Sequence, residues 1–323
     1  MTKRAAVTIL ILGLVLSGAV WLRLLVGEPG GALRWPSDAA TMQLRAERVC
    51  SGAVVGIALA VAGVMLQCLL RNPLASPDII GLAAGAGLGV MVEAYLAWLA
   101  GATVVAGGAS IPAALVGALA ALGVVYGLSQ RRGLIEPVRL ILVGVIVSII
   151  CGSAMVFVQY LLPNRAFEVS RWMLGSLSDD NTARRIAVVG AATVAATIGA
   201  AALGRQMDAA TLSEDEARSL GVRLGALRVT LFVLSGVLTA GAVVLAGPIG
   251  FVGLVCPHLV RLGAGPSHRT LVIGSALAGA ALVVLADALV KAWKLPTGRL
   301  PIGVLTSVIG GPLFVWMLRK QSA

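Results

Sequence analysis

The chain has 323 residues, of which 59% are hydrophobic and only 12% are charged, and its mean hydropathy is +0.97. A water-soluble core does not need apolar sequence this continuous, so the composition excludes a soluble domain and predicts a polytopic membrane protein. The net charge of +11 does not indicate nucleic-acid binding, because basic residues at the ends of membrane spans meet lipid headgroups or partner proteins.

The first half of the chain contains five long apolar segments, each of which predicts a membrane-spanning helix. Span 1 follows Lys3 and Arg4, which are expected to hold the N-terminus in the cytoplasm. Its apolar run is too long for a signal peptide. Spans 2 and 3 are separated by Asn72 and Pro73, because proline ends a helix. The predicted spans are 5–26, 44–70, a third that begins near 79, 111–128 and 138–161.

Three glycines, Gly81, Gly85 and Gly89, recur every four residues at the start of span 3. Small residues at this spacing let two helix backbones approach closely inside a membrane. The pattern therefore predicts a face for helix packing, and it lacks the glycine arrangement of a dinucleotide-binding loop.

The second half of the chain contains five further spans. The uncharged run 229–260 is divided by Gly247 and Pro248 into span 7 and a short span 8. The segment 163–181 is predicted to be external, with a short surface helix. The other spans are 186–203, 271–289 and 301–318. The sequence thus predicts an all-α polytopic membrane protein with about ten transmembrane helices, arranged as one domain with both termini in the cytoplasm.

The segment 205–228 is the strongly polar stretch of the second half and lies between spans 6 and 7. Ser213 and Glu216 fit the capping box of a helix N-terminus, and the acidic residues between them favour the same helix end. Gly221 stands where a short helix needs a left-handed residue after its last turn. The pattern predicts a helix over about 213–220 that stands clear of the membrane. This helix either binds another protein or serves only as a solvated connector between two spans.

No G-x-x-x-x-G-K-[ST] motif occurs, so any ATP must be bound by another chain. His258 and His268 have no cysteine or acid at metal-ligand spacing, and nothing indicates a nucleophile, an oxyanion hole or paired carboxylates. The sequence therefore predicts no enzyme, no metal site and no cofactor in this chain. The cysteines stand singly in apolar surroundings and are predicted to be packing residues: Cys50, Cys68, Cys151 and Cys256.

Ionisable residues inside spans mark proton or ion pathways, and the acidic candidates here are Glu93 and Asp287. Asp287 is also predicted to pair with Lys291, four residues later on the same helix face. A proton-coupled secondary transporter is therefore the alternative function, although such a carrier is expected to need more ionisable groups.

The chain resembles, over nearly its whole length, the permease subunits of binding-protein-dependent ABC importers for iron-siderophores, haem and vitamin B12 (FecCD type). The order and spacing of several stretches carry this resemblance. They are 45–63 with Gln67, LLRNPLASPDIIGLAAGAGLG (69–89), RWMLGSLS (171–178), LSEDEARSLGV (212–222), AGPIGFVGLVCPHLVRL (246–262), ALAGAALVVLAD (276–287) and LPIGVLTSVIGGPLFVWMLRK (300–320).

The resemblance implies the type II ABC importer permease fold, with residues 1–323 as a single transmembrane domain of ten helices. It implies a second permease subunit, usually an identical copy, and two cytoplasmic ATPase subunits that hold ATP and Mg. It also implies an external substrate-binding protein and a location in the bacterial inner membrane.

The resemblance further implies roles for residues at matching positions. The 205–228 loop would contact the ATPase through Ser213, Glu214, Asp215, Glu216, Ala217, Arg218, Ser219, Leu220 and Gly221. The binding protein would dock on Arg45, Arg48 and Lys291, with Arg165 and Arg171 as candidates by position only. The cytoplasmic gate would include Asn72 and Leu74, and the translocation path Gly247, Pro248 and Gly250. Each of these roles has a structural alternative. The basic docking residues could instead reach lipid headgroups. The turn at Asn72 could be a plain connector, and Gly247 and Gly250 could simply allow tight packing.

These implications give the expected function. The chain would form the path for an iron-siderophore, or for haem or cobalamin, by alternating access powered by partner ATPases. Iron-siderophores come first because they are the commonest substrates of the family. A non-transporting membrane scaffold for the same ATPase is a further alternative. In that case, substitutions at the gate residues would have no effect on function.

Overall fold

The computed structural model describes residues 3–27, 33–78, 80–101, 111–131, 134–135, 137–162, 174–177, 181–293 and 300–321. These ranges contain twelve α-helices and one antiparallel pair of two-residue strands. The helices are α1 (Lys3–Leu25), α2 (Ala39–Leu70), α3 (Leu82–Leu99), α4 (Ile111–Ser129), α5 (Pro137–Leu161), α6 (Ala183–Ala202), α7 (Gly204–Ala210), α8 (Glu214–Ser219), α9 (Leu224–Ala246), α10 (Val252–Ala264), α11 (His268–Ala292) and α12 (Ile302–Gln321). The strands are β1 (Gln130–Arg131) and β2 (Leu134–Ile135), with Gln130 opposite Ile135.

Eight helices in the described part of the chain are long and apolar enough to cross a membrane, namely α1 to α6, α9 and α11. Two shorter apolar helices complete the set, α10 and the 302–312 part of α12. Together they match the ten predicted spans in number and order, and the prediction of an all-α polytopic membrane protein is confirmed. The surface helix predicted within 163–181 falls mainly outside the described ranges, and α7 was not predicted.

Local backbone chemistry explains where the predicted boundaries were wrong. α2 begins at Ala39, five residues before the predicted start, because the Asp38 carboxylate accepts the Thr41 backbone N–H at 2.7 Å and the Thr41 hydroxyl at 2.8 Å. The hydrogen bond from that backbone N–H holds the pKa of Asp38 below its usual value, so the cap is charged at neutral pH. α3 begins only after Gly81, whose φ of 79° is the left-handed region that interrupts the helix.

The centre of the fold is α2, a helix of 32 residues that is buried on nearly all sides from Val55 to Leu70. This part of its sequence is apolar around the whole helix, as a fully enclosed helix requires. It packs against α1, α6, α9, α10 and α11. By contrast α1 and α5 expose long apolar faces, with Leu14 65% and Ile149 63% exposed. These are the faces that lipid or another membrane subunit covers.

Glycines set the closest helix contacts around α2. A Cβ atom on Gly56 would meet the backbone of Gly279 in α11, and a Cβ atom on Gly63 would meet the backbone of Gly253 in α10. The Gly85 and Gly89 face of α3 packs in the same way on α4 at Gly117. The close packing predicted for the glycines of span 3 is confirmed at these two positions.

We expect Gly63→Val to lower stability strongly, because α2 and α10 must separate to admit the side chain. Overpacking of a filled core costs about 1–3 kcal/mol even where side chains can move, and here the obstacle is backbone. The matched control is Gly123→Val on α4, where an added Cβ has no atom within 4 Å. Thermal unfolding in detergent should show a clear drop in midpoint for Gly63→Val and little change for Gly123→Val. Equal midpoints would contradict the close approach.

Candidate functional site

The short helix α8 has the capping geometry that its sequence predicts. The Ser213 hydroxyl accepts the Glu216 backbone N–H at 3.3 Å, and the Glu216 carboxylate accepts the Ser213 backbone N–H at 3.0 Å. After its last turn, Gly221 adopts a φ of 79°. Ala217 is fully buried and fixes α8 to the rest of the chain, while Asp215 and the residues from Arg218 to Gly221 are exposed. The helix therefore has one attached face and one free face.

The carboxylates of α8 have lowered pKa values. Hydrogen bonds from Ser213 lower the pKa of Glu216, and the hydrogen bond from Arg228 lowers that of Glu214. Since the folded-state values are the lower ones, this stabilisation is fully present above the ordinary glutamate pKa. It is lost as pH falls through the lowered values. The cap is therefore intact at neutral pH.

Side-chain bonds connect the 205–228 loop to three spans. Arg228 of α9 donates to Glu214 at 2.7 Å. Asp208 of α7 accepts both the backbone N–H and the Nδ1 of His268, each at 2.8 Å, at the start of α11. The third bond runs from Arg71 Nε, at the end of α2, to the Ala210 carbonyl at 3.1 Å. We call this end of the molecule the loop end.

The predicted gate turn begins at Arg71, the residue that bonds to the loop. Arg71 takes the left-handed conformation at a φ of 47° and ends α2. Asn72 then accepts the Leu74 backbone N–H with its side-chain oxygen at 2.9 Å, and its backbone carbonyl accepts the Ala75 N–H at 3.1 Å. The structure thus places Asn72 and Leu74, both half-buried, in a tight turn joined to the 205–228 loop. Sequence reasoning did not single out Arg71 for this contact.

The predicted path residues Gly247, Pro248 and Gly250 lie in a non-helical segment between α9 and α10. It starts at the level of Ser51 on α2, since Asn181 bonds to both Ser51 and Leu245. It ends where Gly253 meets Gly63, about 18 Å further along α2 at 1.5 Å per residue. The segment therefore runs alongside α2 between the levels of Ser51 and Gly63, and the path role of its residues stays a prediction.

Asp78 joins the gate turn to this segment. Its carboxylate accepts the backbone N–H of Phe251, which has a left-handed φ of 69° although it is not a glycine. A side chain costs of order 1–3 kcal/mol in such a conformation, which persists only where the surroundings fix it. Gly310 of α12 leaves room for the Phe251 side chain, because an added Cβ would lie 2.8 Å from its ring. Sequence reasoning missed Asp78, because a single acid after Pro77 resembles a solvated turn residue.

We expect Asp78→Ala to destabilise the junction, since it leaves the Phe251 N–H without its acceptor. A hydrogen bond to a charged group contributes about 1.5–3 kcal/mol, and Asp78 is half-buried. Asp78→Asn keeps an acceptor oxygen and should lose much less. Thermal unfolding of both variants in detergent distinguishes them, with Asp38→Asn as a control at an exposed carboxylate. Identical losses for Asp78→Ala and Asp78→Asn would show that the hydrogen bond is unimportant.

At the opposite end, a buried cluster of charges connects α1, α2 and α11. Asp287 bonds to Arg23, and Arg48 donates to the same carboxylate at 2.9 and 3.0 Å. The side chains are 1%, 3% and 9% exposed for Asp287, Arg23 and Arg48 respectively. The sequence predicted that Asp287 pairs with Lys291, and it did not indicate that Arg23 or Arg48 would contact Asp287. Here two guanidinium groups stabilise one carboxylate in its charged form.

The predicted docking residues therefore occupy different environments. The Arg48 side chain points into the protein and belongs to the Asp287 cluster. Arg45 donates to the backbone carbonyls of Leu24 and Arg34, which fixes the connection between α1 and α2. Lys291 is half-exposed. Arg165 and Arg171 lie outside the described residues, and the docking role of all five stays a prediction.

In the part of the chain that the structure describes, no three histidine, cysteine, aspartate or glutamate side chains converge on a possible metal site. His268 is engaged with Asp208. Three of the four cysteines are buried and Cys50 is exposed.

The fold is shared with a solved transporter. A metal-chelate type ABC transporter in an inward-facing conformation superposes with a TM-score of 0.84 and 27% sequence identity, over 98% of this chain and 99% of that one. The architecture is thus that of an ABC importer permease. The model of the FecCD transport family matches residues 6–320, and the chain belongs to this family.

Two curated relatives have similar sequences. The hemin transport system permease protein HmuU of Yersinia pestis is 35% identical over 281 residues, which are 87% of this chain and 83% of that protein. The cobalamin import system permease protein BtuC of Halobacterium salinarum is 36% identical over 286 residues, which are 86% of this chain and 73% of that protein.

Proposed function

We propose that this chain is the permease subunit of a binding-protein-dependent ABC importer and forms the membrane path by ATP-driven alternating access. The 205–228 loop is the observation that carries the proposal. Its capped helix α8 is exposed on one face and bonded to α9 through Glu214, while α7 is bonded to α2 and α11. Because α7 and α8 belong to the same loop, a rigid-body shift of a partner bound to that loop would pass to three spans at once.

A continuous set of contacts leads from the loop to the proposed path. Arg71 connects the loop to the gate turn that holds Asn72 and Leu74. Asp78, a few residues on, connects that turn to Phe251 and the non-helical segment. Such a segment at membrane depth is tolerated where it is buried in protein or lines a cavity. The arrangement supports a gate that responds to movement of the loop.

In this proposal the loop end and both termini face the cytoplasm of a bacterial cell, and the chain lies in the inner membrane. Two ATPase subunits bind α8 and hydrolyse ATP with Mg, so this chain is not itself an enzyme and holds no cofactor. A second copy of the permease completes the path. An external binding protein docks at the opposite end, which carries Arg45, Arg48 and Lys291.

The proposed substrate class is an iron-siderophore, with haem and cobalamin as the other members. The named relatives are a hemin and a cobalamin permease, and the solved structure is of a metal-chelate type transporter, which supports the class as a whole. An external binding protein can select the ligand, so the path need not recognise it tightly.

The Asp287 cluster argues against the alternative of a proton-coupled carrier. A proton-carrying carboxylate must gain and lose its proton during transport. Asp287 is held between two buried guanidinium groups, which favour its charged form throughout.

Co-purification from the native host tests the proposal. The full-length tagged chain, extracted in mild detergent, should bring down an ABC ATPase, identified by mass spectrometry. The same chain with residues 213–220 replaced by a Gly/Ser sequence should lose it, whereas Arg223→Gln, an exposed change beside the helix, should keep it. Absence of an ATPase from both the intact and the replaced chain, in samples shown to be folded, would contradict the proposal.

A further inference from the structure

A large cavity opens at the loop end between α1, α2, α10 and α11, with a volume of about 1360 Å³. Its wall includes the start of α1, the end of α2 and the connection from α10 to α11. This volume exceeds that of a drug-sized ligand pocket, which is about 300–1,000 Å³. The cavity can therefore hold a substantial molecule.

The wall of the cavity is strongly basic. It contains Arg4, Arg71, Arg261 and Arg269, and Asp208 is the one acidic residue among the described residues that line it. That carboxylate already accepts two hydrogen bonds from His268. An anionic ligand would therefore meet four guanidinium groups and one carboxylate that is already engaged.

Arg261 supplies a donor that the protein leaves unsatisfied. Its Nη2 donates to the Gln67 side-chain oxygen at 2.9 Å. Gln67 is itself fixed by donating to the Gly253 carbonyl at 3.3 Å. The Nη1 atom is buried and has no hydrogen-bond partner among the described residues. A buried charged donor without a partner is costly, and an anion in the cavity would satisfy it.

The cavity also has an apolar side. Leu262 and Ile273 line it and are 67% and 37% exposed. Leu262 belongs to the short apolar helix α10, and Ile273 belongs to α11, which is long and apolar enough to cross a membrane. A free phosphate ion would make no use of this side, whereas an amphiphile places its charged head on the arginines and its chains along the apolar residues.

We propose that this cavity binds the phosphate headgroup of an anionic phospholipid, with Arg261 Nη1 as a direct donor and Arg4 and Arg269 as surrounding cations. Basic pockets between membrane helices are suited to such headgroups. The ligand would bridge the start of α1 to the end of α2 and the start of α11, and so stabilise the loop end. The cavity borders the gate turn at Arg71 and Asn72, and lipid binding is measured without transport, so failure of the lipid site and failure of the transport proposal are distinguishable.

Native mass spectrometry of the full-length chain tests this, with phosphatidylglycerol and phosphatidylcholine added at equal concentration. We expect phosphatidylglycerol to bind at least tenfold more tightly. The double variant R4Q/R269Q should weaken its binding about 10- to 30-fold, since each basic residue near an anionic membrane surface contributes roughly fivefold in affinity. Both side chains are exposed, so unfolding midpoints measured in detergent with added phosphatidylcholine should match wild type.

The matched control is R205Q/R223Q, which removes the same charge from exposed positions near the loop end that do not line the cavity. It should retain phosphatidylglycerol. Inorganic phosphate at millimolar concentration should not displace the lipid. Equal binding of the two lipids, equal loss in both double variants, or displacement by inorganic phosphate alone would each overturn the lipid site, the last in favour of a free-anion site.

Discussion

Replacing Glu214–Arg218 with a Gly/Ser sequence of equal length should reduce ATP-driven uptake to background, although the chain still inserts and folds. The replacement removes the reciprocal Ser213–Glu216 cap and the Glu214–Arg228 bond to α9. A flexible loop cannot transmit a rigid-body shift. ATP hydrolysis by the partner subunits should then no longer depend on transport. The measurements are uptake into vesicles and ATPase activity on the same samples.

Two point variants distinguish the bond between α8 and α9 from the helix cap. Arg228→Gln removes the bond between α8 and α9 and keeps the cap, so it should lower uptake while α8 stays folded. Arg223→Gln changes an exposed arginine that caps α9 without a side-chain bond and should transport normally. Uptake that survives both the Gly/Ser replacement and Arg228→Gln would remove the basis for a coupling role.

Asp287→Asn should be among the most destabilising single substitutions in the chain. It leaves the buried guanidinium groups of Arg23 and Arg48 without their anion. Breaking a buried ion pair by removing one partner costs about 3–5 kcal/mol. The measurement is thermal unfolding in detergent, where a marked drop in midpoint is expected.

A double variant and a control variant accompany the Asp287→Asn measurement. Adding Arg48→Gln to Asp287→Asn should recover part of the stability, because one unpaired charge is removed, and the double-mutant cycle measures that coupling. Glu93→Gln, at the other acid within a span, should change stability and uptake little. If Asp287→Asn kept wild-type stability while both acid variants lost uptake, the proton-carrier alternative would gain support.

Features set by neighbouring residues were predictable from the sequence. The spans follow from uninterrupted apolar runs, and the α8 cap from Ser213 and Glu216, three residues apart. Gly221 in the left-handed region follows from the same local logic. Such features need no knowledge of the tertiary fold.

Features that join distant segments were not predictable. Asp287 pairs with Arg23, 264 residues away, and with Arg48, 239 residues away. Arg71 reaches Ala210 across 139 residues. A charge near a span end looks the same in sequence whether it meets a headgroup, a partner or a buried counter-ion, and Arg48 illustrates this.

The most direct test of the importer function is uptake into proteoliposomes that contain this chain with its ATPase and binding protein. A ferric siderophore, hemin and cobalamin are offered in turn, with and without ATP on the ATPase side, and with a protonophore present. We predict that one of these ligands accumulates only with ATP and that the protonophore has no effect. Accumulation that follows a proton gradient without ATP would contradict the account.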